Sequence, residues 1–254
     1  MALTDNLLTT AKRRLRDLYH KLTTRQKVII GIVACIGAGY AFCLPGTLFH
    51  APYSTVVTDR NGTLLGARIA KDGQWRFPPL DSVPYKMREC LVCFEDKRFY
   101  RHWGVDVLAL GRAMWQNVRN RRIVSGGSTL TMQVIRLARQ RPRTLPEKAI
   151  EALWATRLEF RCSKQEILAM YASHAPFGGN VVGLDAAAWR YFGHSAEELS
   201  WAEAATLAVL PNAPSLIHPG KGRDALLQKR NRLLHKLHEQ GKLTASDYTS
   251  ALHE

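Results

Sequence analysis

The sequence is poor in cysteine and lacks the signatures of several common protein classes. Five cysteines in 254 residues are too few and too unevenly spaced for a disulfide framework. The sequence has no internal repeat, coiled-coil heptad or low-complexity tract, and no GK[ST] motif follows its glycine pairs. A disulfide scaffold, a repeat protein and a Walker-type phosphate loop are therefore excluded.

Acidic residues are also scarce, because 21 Asp and Glu face 36 Lys and Arg, for a net charge of +15. The excess favours anionic partners such as phosphate groups or an acidic membrane surface, although a merely soluble basic surface would have the same composition. No nucleic-acid-binding module is recognisable. A hydrophobic content of 46% is enough for a packed core in one or two domains.

Residues 28–49 form the longest apolar run and predict a transmembrane anchor, since 28–44 contain no charge at all. The preceding segment, 1–27, holds seven bases and two acids, so the positive-inside rule predicts a cytoplasmic N-terminus. A cleaved signal peptide is one alternative, and lipoprotein-type cleavage at Cys35 is another. Without residues 1–27 the remainder still carries +10.

The region after the anchor divides into a linker, 50–84, and a domain, 85–254. Asn61 and Gly62 lie between β-branched stretches and predict a β-hairpin over 54–70. Helical periodicity then dominates, so the domain is expected to be mainly α. Capping boxes begin helices at Ser163 and Ser200. The predicted helices are 85–97, 105–119, 128–140, 146–160, 163–173, 182–192, 200–210 and 223–240.

Cys90 and Cys93 form a single CxxC motif. It lies in a predicted helix, and no second pair or histidine cluster completes a zinc site. The motif therefore predicts packed free cysteines.

The stretch FEDKRFYRHWG at 94–104 places Glu95 after an apolar run and among aromatic rings. Such surroundings desolvate a carboxylate and raise its pKa toward the range useful to a general acid or base. The alternative is that Glu95 and Asp96 are surface acids paired with Lys97, Arg98 and Arg101.

Two further stretches place polar side chains at helix starts. SGGSTLTMQVIRLARQ at 125–140 offers free backbone N–H groups and hydroxyls to an anion, with Gln133 and Arg136 on the same helix face. RTLPEKAIEALWATRLE at 143–159 places Lys148 and Glu151 on one face, which alone is typical of a solvated ion pair.

The motifs EDKRFYRHWG, GGSTLTMQ, EKAIE and SKQEILAMYASHAPFGGNVVGLDAAAWRYFG, in this order, resemble the peptidoglycan glycosyltransferases, the transglycosylase module of class A penicillin-binding proteins. GGSTLTMQ and APFGG resemble the 1C type of that module. The resemblance runs from about Val56 to Leu237. It implies a lysozyme-like helical domain with a short β-hairpin region, tethered by one N-terminal transmembrane helix to the bacterial inner membrane and facing the periplasm.

The same resemblance implies polymerisation of lipid II into glycan strands by inverting transfer, with release of undecaprenyl pyrophosphate. The partners would be lipid II, the growing glycan, the membrane and other cell-wall synthesis proteins. No SxxK, SxN and KTG set follows, so a monofunctional form without the β-lactam-binding transpeptidase is expected. A lysozyme-like glycan-cleaving enzyme and a non-catalytic lipid II scaffold are the alternatives.

Residue roles follow by resemblance. Glu95 resembles the catalytic base, and Glu151 resembles a second glutamate that organises the pyrophosphate site. The resemblance allows Glu151 to act through Mg²⁺ or another divalent cation, but it assigns no metal ligands. Lys148 and Arg136 would offset charge on the pyrophosphate. The remaining residues expected to line or shape the substrate cleft are Asp96, Phe99, His102, Gly104, Gly127, Ser128, Thr129, Gln133 and Arg143.

The family pattern is broken most clearly at Glu147, where an arginine is usual. If the Glu147 carboxylate points to solvent, Glu147→Arg should change little. If it faces the cleft, it opposes an anionic donor, and Glu147→Arg should strengthen donor binding. We expect the second outcome.

Overall fold

The computed structural model describes residues 22–122, 126–211 and 222–254. Most of the predicted basic segment, 1–21, lies outside these residues, as do the stretch 123–125 just before the GGST motif and the stretch 212–221. The described residues divide into two compact units, with the boundary between Pro45 and Gly46.

The first unit contains helix α1, Thr24–Ala41, which begins with a capping box between Thr23 and Gln26. The apolar run predicted over 28–49 is thus only partly helical, because the helix ends at Ala41. The first turn of the helix also contains the charged residues Arg25 and Lys27. Among the described residues, no helix is both long enough and apolar enough to cross a membrane. The predicted anchor is not confirmed.

The second unit is mainly α, as predicted, with two small sheets. Its helices are α2 Tyr85–Glu95, α3 Val107–Asn120, α4 Leu130–Arg139, α5 Leu145–Arg161, α6 Lys164–His174, α7 Leu184–Tyr191, α8 Trp201–Val209, α9 Arg223–Glu239 and α10 Ala245–His253, with 3₁₀ turns at Phe99–Arg101 and Ala196–Glu198. All eight helices predicted for this region are present within a few residues of the expected bounds. The capping boxes at Ser163 and Ser200 are both formed.

The predicted hairpin consists of β1, Thr55–Thr58, paired antiparallel with β2, Leu64–Arg68, in the register Thr55 to Arg68. Gly62 has φ +85° in the connecting turn, a conformation that glycine adopts without strain. A second sheet was not predicted. It has the order β3–β5–β4, with β3 at Trp75–Arg76, β4 at Pro176–Gly178 and β5 at Val181–Val182.

Helix α4 forms the centre of the core, because every residue from Leu130 to Ile135 is buried. It packs against α5 and α6, while α2 packs against α8 and α9. Alanines on the inner faces of α7 and α8 let these helices approach their neighbours closely. Cys90 and Cys93 are buried in α2, as predicted, and burial raises the pKa of both thiols.

Candidate active site

Glu95 is the last residue of α2 and lines a cavity of about 330 Å³. The opposite wall is the segment that leads into α4, from Gly126 to Thr129. Gly127 is required there, because a Cβ at this position would lie only 2.9 Å from the backbone Cα of Leu110. The first and second predicted motifs therefore meet across one cavity.

The loop after Glu95 is fixed to the start of α4 by the buried side chain of Asp96. Its carboxylate accepts the backbone N–H of Leu130 at 3.0 Å and contacts His102 Nε2 at 3.0 Å. Phe99 is fully buried beneath this loop. Asp96, Phe99 and His102 therefore serve to position Glu95. Asp96 also forms part of the cavity wall.

Gly104 closes the loop with φ +76°, and a Cβ there would lie 2.6 Å from the Ala155 carbonyl group. Both the positive φ and this close approach exclude any residue with a side chain at position 104. Thr129 secures the other side, because its hydroxyl donates to the Gly104 carbonyl at 2.5 Å and accepts from Met132 N as the N-cap of α4. The loop and two helices thus contact each other around Gly104.

Gln133 connects Glu95 to the basic side of the site. Its Nε2 donates to Glu95 Oε2 at 2.7 Å, and its Oε1 accepts from Arg136 Nη2 at 3.2 Å. Burial lowers the pKa of Arg136, and the nearby charge of Arg143 lowers it further. A neutral amide therefore separates the Glu95 carboxylate from a partly desolvated guanidinium.

Lys148 links the third motif to the second. Its ammonium donates to Ser128 Oγ, and to Glu151 Oε2 at 3.2 Å. The side chain of Glu151 is only 5% exposed, so the pair is largely removed from water on that side. Burial lowers the pKa of Lys148, an effect that the Glu151 carboxylate opposes.

The structure therefore brings the predicted residues into one connected region. Glu95, Ser128 and Thr129 line the cavity, whereas Gln133, Lys148 and Glu151 join it through hydrogen bonds. Arg143 is exposed and acts on Arg136 and Lys148 through its charge.

Three further cations line the same cavity and were not predicted as site residues: Lys97, Arg98 and Arg112. Arg98 makes a bidentate contact with Asp106, the N-cap of α3. Arg112 lies three residues after Ala109, which also faces the cavity. The three-residue spacing of Ala109 and Arg112 could have indicated that they share a helix face. A lone arginine on an amphipathic helix, however, is usually solvated.

Glu147 is paired with a cation, a contact that the sequence did not predict. Its carboxylate accepts a hydrogen bond from Arg139 at the end of α4, so it is not an uncompensated charge directed at the cleft. The same guanidinium lies 4.3 Å from the ring centre of Trp154. The hydrogen bond from Arg139 lowers the pKa of Glu147, which keeps the pair ionised at neutral pH.

The residues around Glu151 do not fit a preformed site for a divalent cation. No group of three His, Cys, Asp or Glu side chains capable of holding a metal occurs in 22–122, 126–211 or 222–254. Lys148 also occupies the carboxylate of Glu151, which a cation would need.

Comparison with known proteins matches residues 61–238 to the Transglycosylase family. The chain is 42% identical over 211 residues to penicillin-binding protein 1C of Escherichia coli, covering 82% of this chain and 27% of that protein. It is 37% identical over 204 residues to penicillin-binding protein 1A of Aquifex aeolicus, covering 80% of this chain and 28% of that protein.

A solved structure, that of penicillin-binding protein 1A from Haemophilus influenzae, matches with 21% identity and a TM-score of 0.44, covering 81% of this chain and 21% of that one. This likeness is too low to carry a conclusion. The chain spans between a quarter and a third of the length of its two relatives. The family match covers well over half of the sequence. The chain belongs to the transglycosylase family.

Proposed function

We propose that this protein is a peptidoglycan glycosyltransferase that polymerises lipid II into glycan strands by inverting transfer. The observation that carries the proposal is the position of Glu95, a carboxylate in a cavity, held by a neutral amide and bordered by cations. Family membership supports the reaction class, and the geometry supports the assignment of roles.

Glu95 is the general base in this proposal. It removes the proton from the 4-hydroxyl of the acceptor N-acetylglucosamine as that oxygen attacks C1 of the donor N-acetylmuramic acid. The C1–O bond to the pyrophosphate breaks, and undecaprenyl pyrophosphate leaves with its electron pair. An α-linked donor yields a β-linked product, so one displacement suffices and no covalent enzyme intermediate is required.

The departing pyrophosphate is anionic, and three cations are available to stabilise it. Lys148 and Arg136 are partly desolvated, which strengthens their attraction for developing negative charge, and Arg143 adds an exposed positive charge. Glu151 holds the Lys148 ammonium at 3.2 Å and so fixes its direction. In this role Glu151 positions a cation and does not exchange a proton.

A polyprenyl-linked substrate is supported by the exposed apolar side of α3. This helix turns Ala109 and Arg112 toward the Glu95 cavity. Trp103 lies nearby, packed edge to face against Phe160 at 4.9 Å, and both rings are exposed. The exposed apolar residues on α3 itself are Val107, Leu108, Met114, Trp115 and Val118. An apolar surface of this kind suits contact with lipid.

We further propose that the domain works at the periplasmic face of the bacterial inner membrane, tethered by residues 28–49. The basic segment before this run supports a cytoplasmic N-terminus. A periplasm-active reporter fused after residue 60 should be active, and one fused after residue 20 should be inactive. The reverse pattern would overturn the proposed topology.

The reaction is tested by incubating purified protein with lipid II, with and without Mg²⁺, and separately with preformed glycan strands. Polymer formed from lipid II is the expected result, and the Mg²⁺ arm measures any cation requirement directly. Cleavage of the preformed strands would indicate a lysozyme-like enzyme. Lipid II binding without polymer would indicate a scaffold.

A further inference from the structure

A second polar cavity, of about 470 Å³, adjoins the catalytic one. Its walls come from α2, from the 3₁₀ turn at Phe99–Arg101 and from the connection between α9 and α10. Lys97 and Arg98 line both cavities. A ligand bound in the second cavity would therefore lie beside the Glu95 cavity.

Positive charge dominates this second cavity. In the part of the chain that the structure describes, Lys97, Arg98, Arg101 and Lys242 line it together with a single carboxylate, Glu89.

Only some of this charge is compensated. Arg98 is paired with Asp106, and Lys242 lies 3.2 Å from Glu89. Among the described residues, no carboxylate oxygen lies within 4.0 Å of the Lys97 or Arg101 side-chain nitrogens. The cavity thus offers two cations to an incoming anion.

The remaining lining indicates what kind of anion fits. Val92 and Cys93 form an apolar part of the wall, and burial raises the pKa of Cys93, so its thiol is neutral at neutral pH. Tyr100 and Gln240 add neutral hydrogen-bonding groups. An organic molecule with a carboxylate uses both the cations and the apolar wall, whereas an inorganic phosphate would leave the apolar wall without a contact.

We propose that this cavity binds a carboxylate of the peptide attached to the glycan, and so selects peptide-bearing sugars beside the catalytic centre. The inference rests on the proposed function, because it takes the ligand from that reaction. The sugars of the polymer are uncharged once the pyrophosphate has left. The attached peptide is therefore the source of an anion next to the cleft.

The test uses Arg101→Gln, Lys242→Gln and the double variant in the full chain. Both residues line the second cavity and not the Glu95 cavity, and Glu89 retains Arg88 at 3.5 Å when Lys242 is neutral. Lys71→Gln is the matched control, because it removes one exposed charge outside both cavities. Binding is measured for a soluble disaccharide–peptide and for the same disaccharide without its peptide.

The wild type and the control should prefer the peptide-bearing probe, and the double variant should lose about 3- to 10-fold of its affinity for that probe alone. Equal binding of both probes by the wild type would overturn the inference. If the double variant lost as much affinity for inorganic pyrophosphate as for the peptide-bearing probe, the inference would also be overturned, in favour of a phosphate site.

Lipid II polymerisation is measured in parallel and separates the two proposals. An inactive wild type that keeps the peptide preference supports the cavity assignment and overturns the proposed function. An active wild type that lacks the peptide preference supports the proposed function and overturns the cavity assignment.

Discussion

The two glutamates of the site lie in contrasting surroundings. Glu95, at the end of α2, faces a cavity and receives a hydrogen bond from a neutral amide. Glu151, within α5, is 4% exposed and bound to an ammonium group. A carboxylate that faces a cavity is within reach of a substrate hydroxyl, whereas a buried one paired with a cation serves to orient that cation. The surroundings of each glutamate, and not the residue type, therefore determine its role.

The sharpest test of this contrast is Glu95→Gln, which keeps the shape of the side chain and removes its ability to accept a proton. We expect polymerisation to fall about 10²-fold or more while lipid II binding is largely retained. Turnover and binding are measured separately with purified protein. Near-normal turnover would require another base or a non-catalytic protein.

Lys148→Gln tests the other side of the comparison, because it removes the cation from the buried Glu151. We expect turnover to fall about 10- to 100-fold, since one electrostatic donor is lost and Arg136 remains. Donor binding should weaken as well, unlike in Glu95→Gln. If only binding changed, Lys148 would serve the ground state and not the departing pyrophosphate.

The pH profile sharpens the assignment of Lys148. Burial lowers the pKa of this lysine, so its charge is lost on the alkaline side at a lower pH than for an exposed lysine. Activity should decline there, and Lys148→Arg should move the decline to higher pH because arginine stays protonated. An unchanged alkaline limb in the arginine variant would assign the titration to another group.

The smallest effect is expected at Glu147. Replacing it by arginine removes the partner of Arg139 and brings two guanidinium groups together, so turnover should fall about two- to fivefold. The charge-swapped double variant, Glu147→Arg with Arg139→Glu, should recover most of the loss. A faster Glu147→Arg enzyme would instead support the usual family pattern at this position.

Local signals were enough to predict the helices and the hairpin. Ser163 and Ser200 fixed two helix starts through their capping boxes, and Asn61–Gly62 marked the turn. Helix α10 was missed although Thr244 caps it and accepts from Asp247 N, the same spacing as in those boxes. It is short and mostly exposed, so its apolar periodicity is weak.

Contacts between distant parts of the chain could not be predicted in this way. Trp75 pairs with Val181 in strands of two residues each, too short to leave a pattern. Arg139 and Glu147 are eight residues apart, and they meet because the chain reverses after Gln140, which has φ +50°. Sequence spacing alone shows neither the reversal nor the neutralised charge.

Asp96 has one more consequence, because its carboxylate binds both His102 and the backbone N–H of Leu130. The residue that precedes it in the chain is Glu95, and Leu130 opens the helix that carries Gln133. Asp96 therefore fastens the end of α2 to the start of α4, and this attachment sets the 2.7 Å contact between the Glu95 carboxylate and the Gln133 amide.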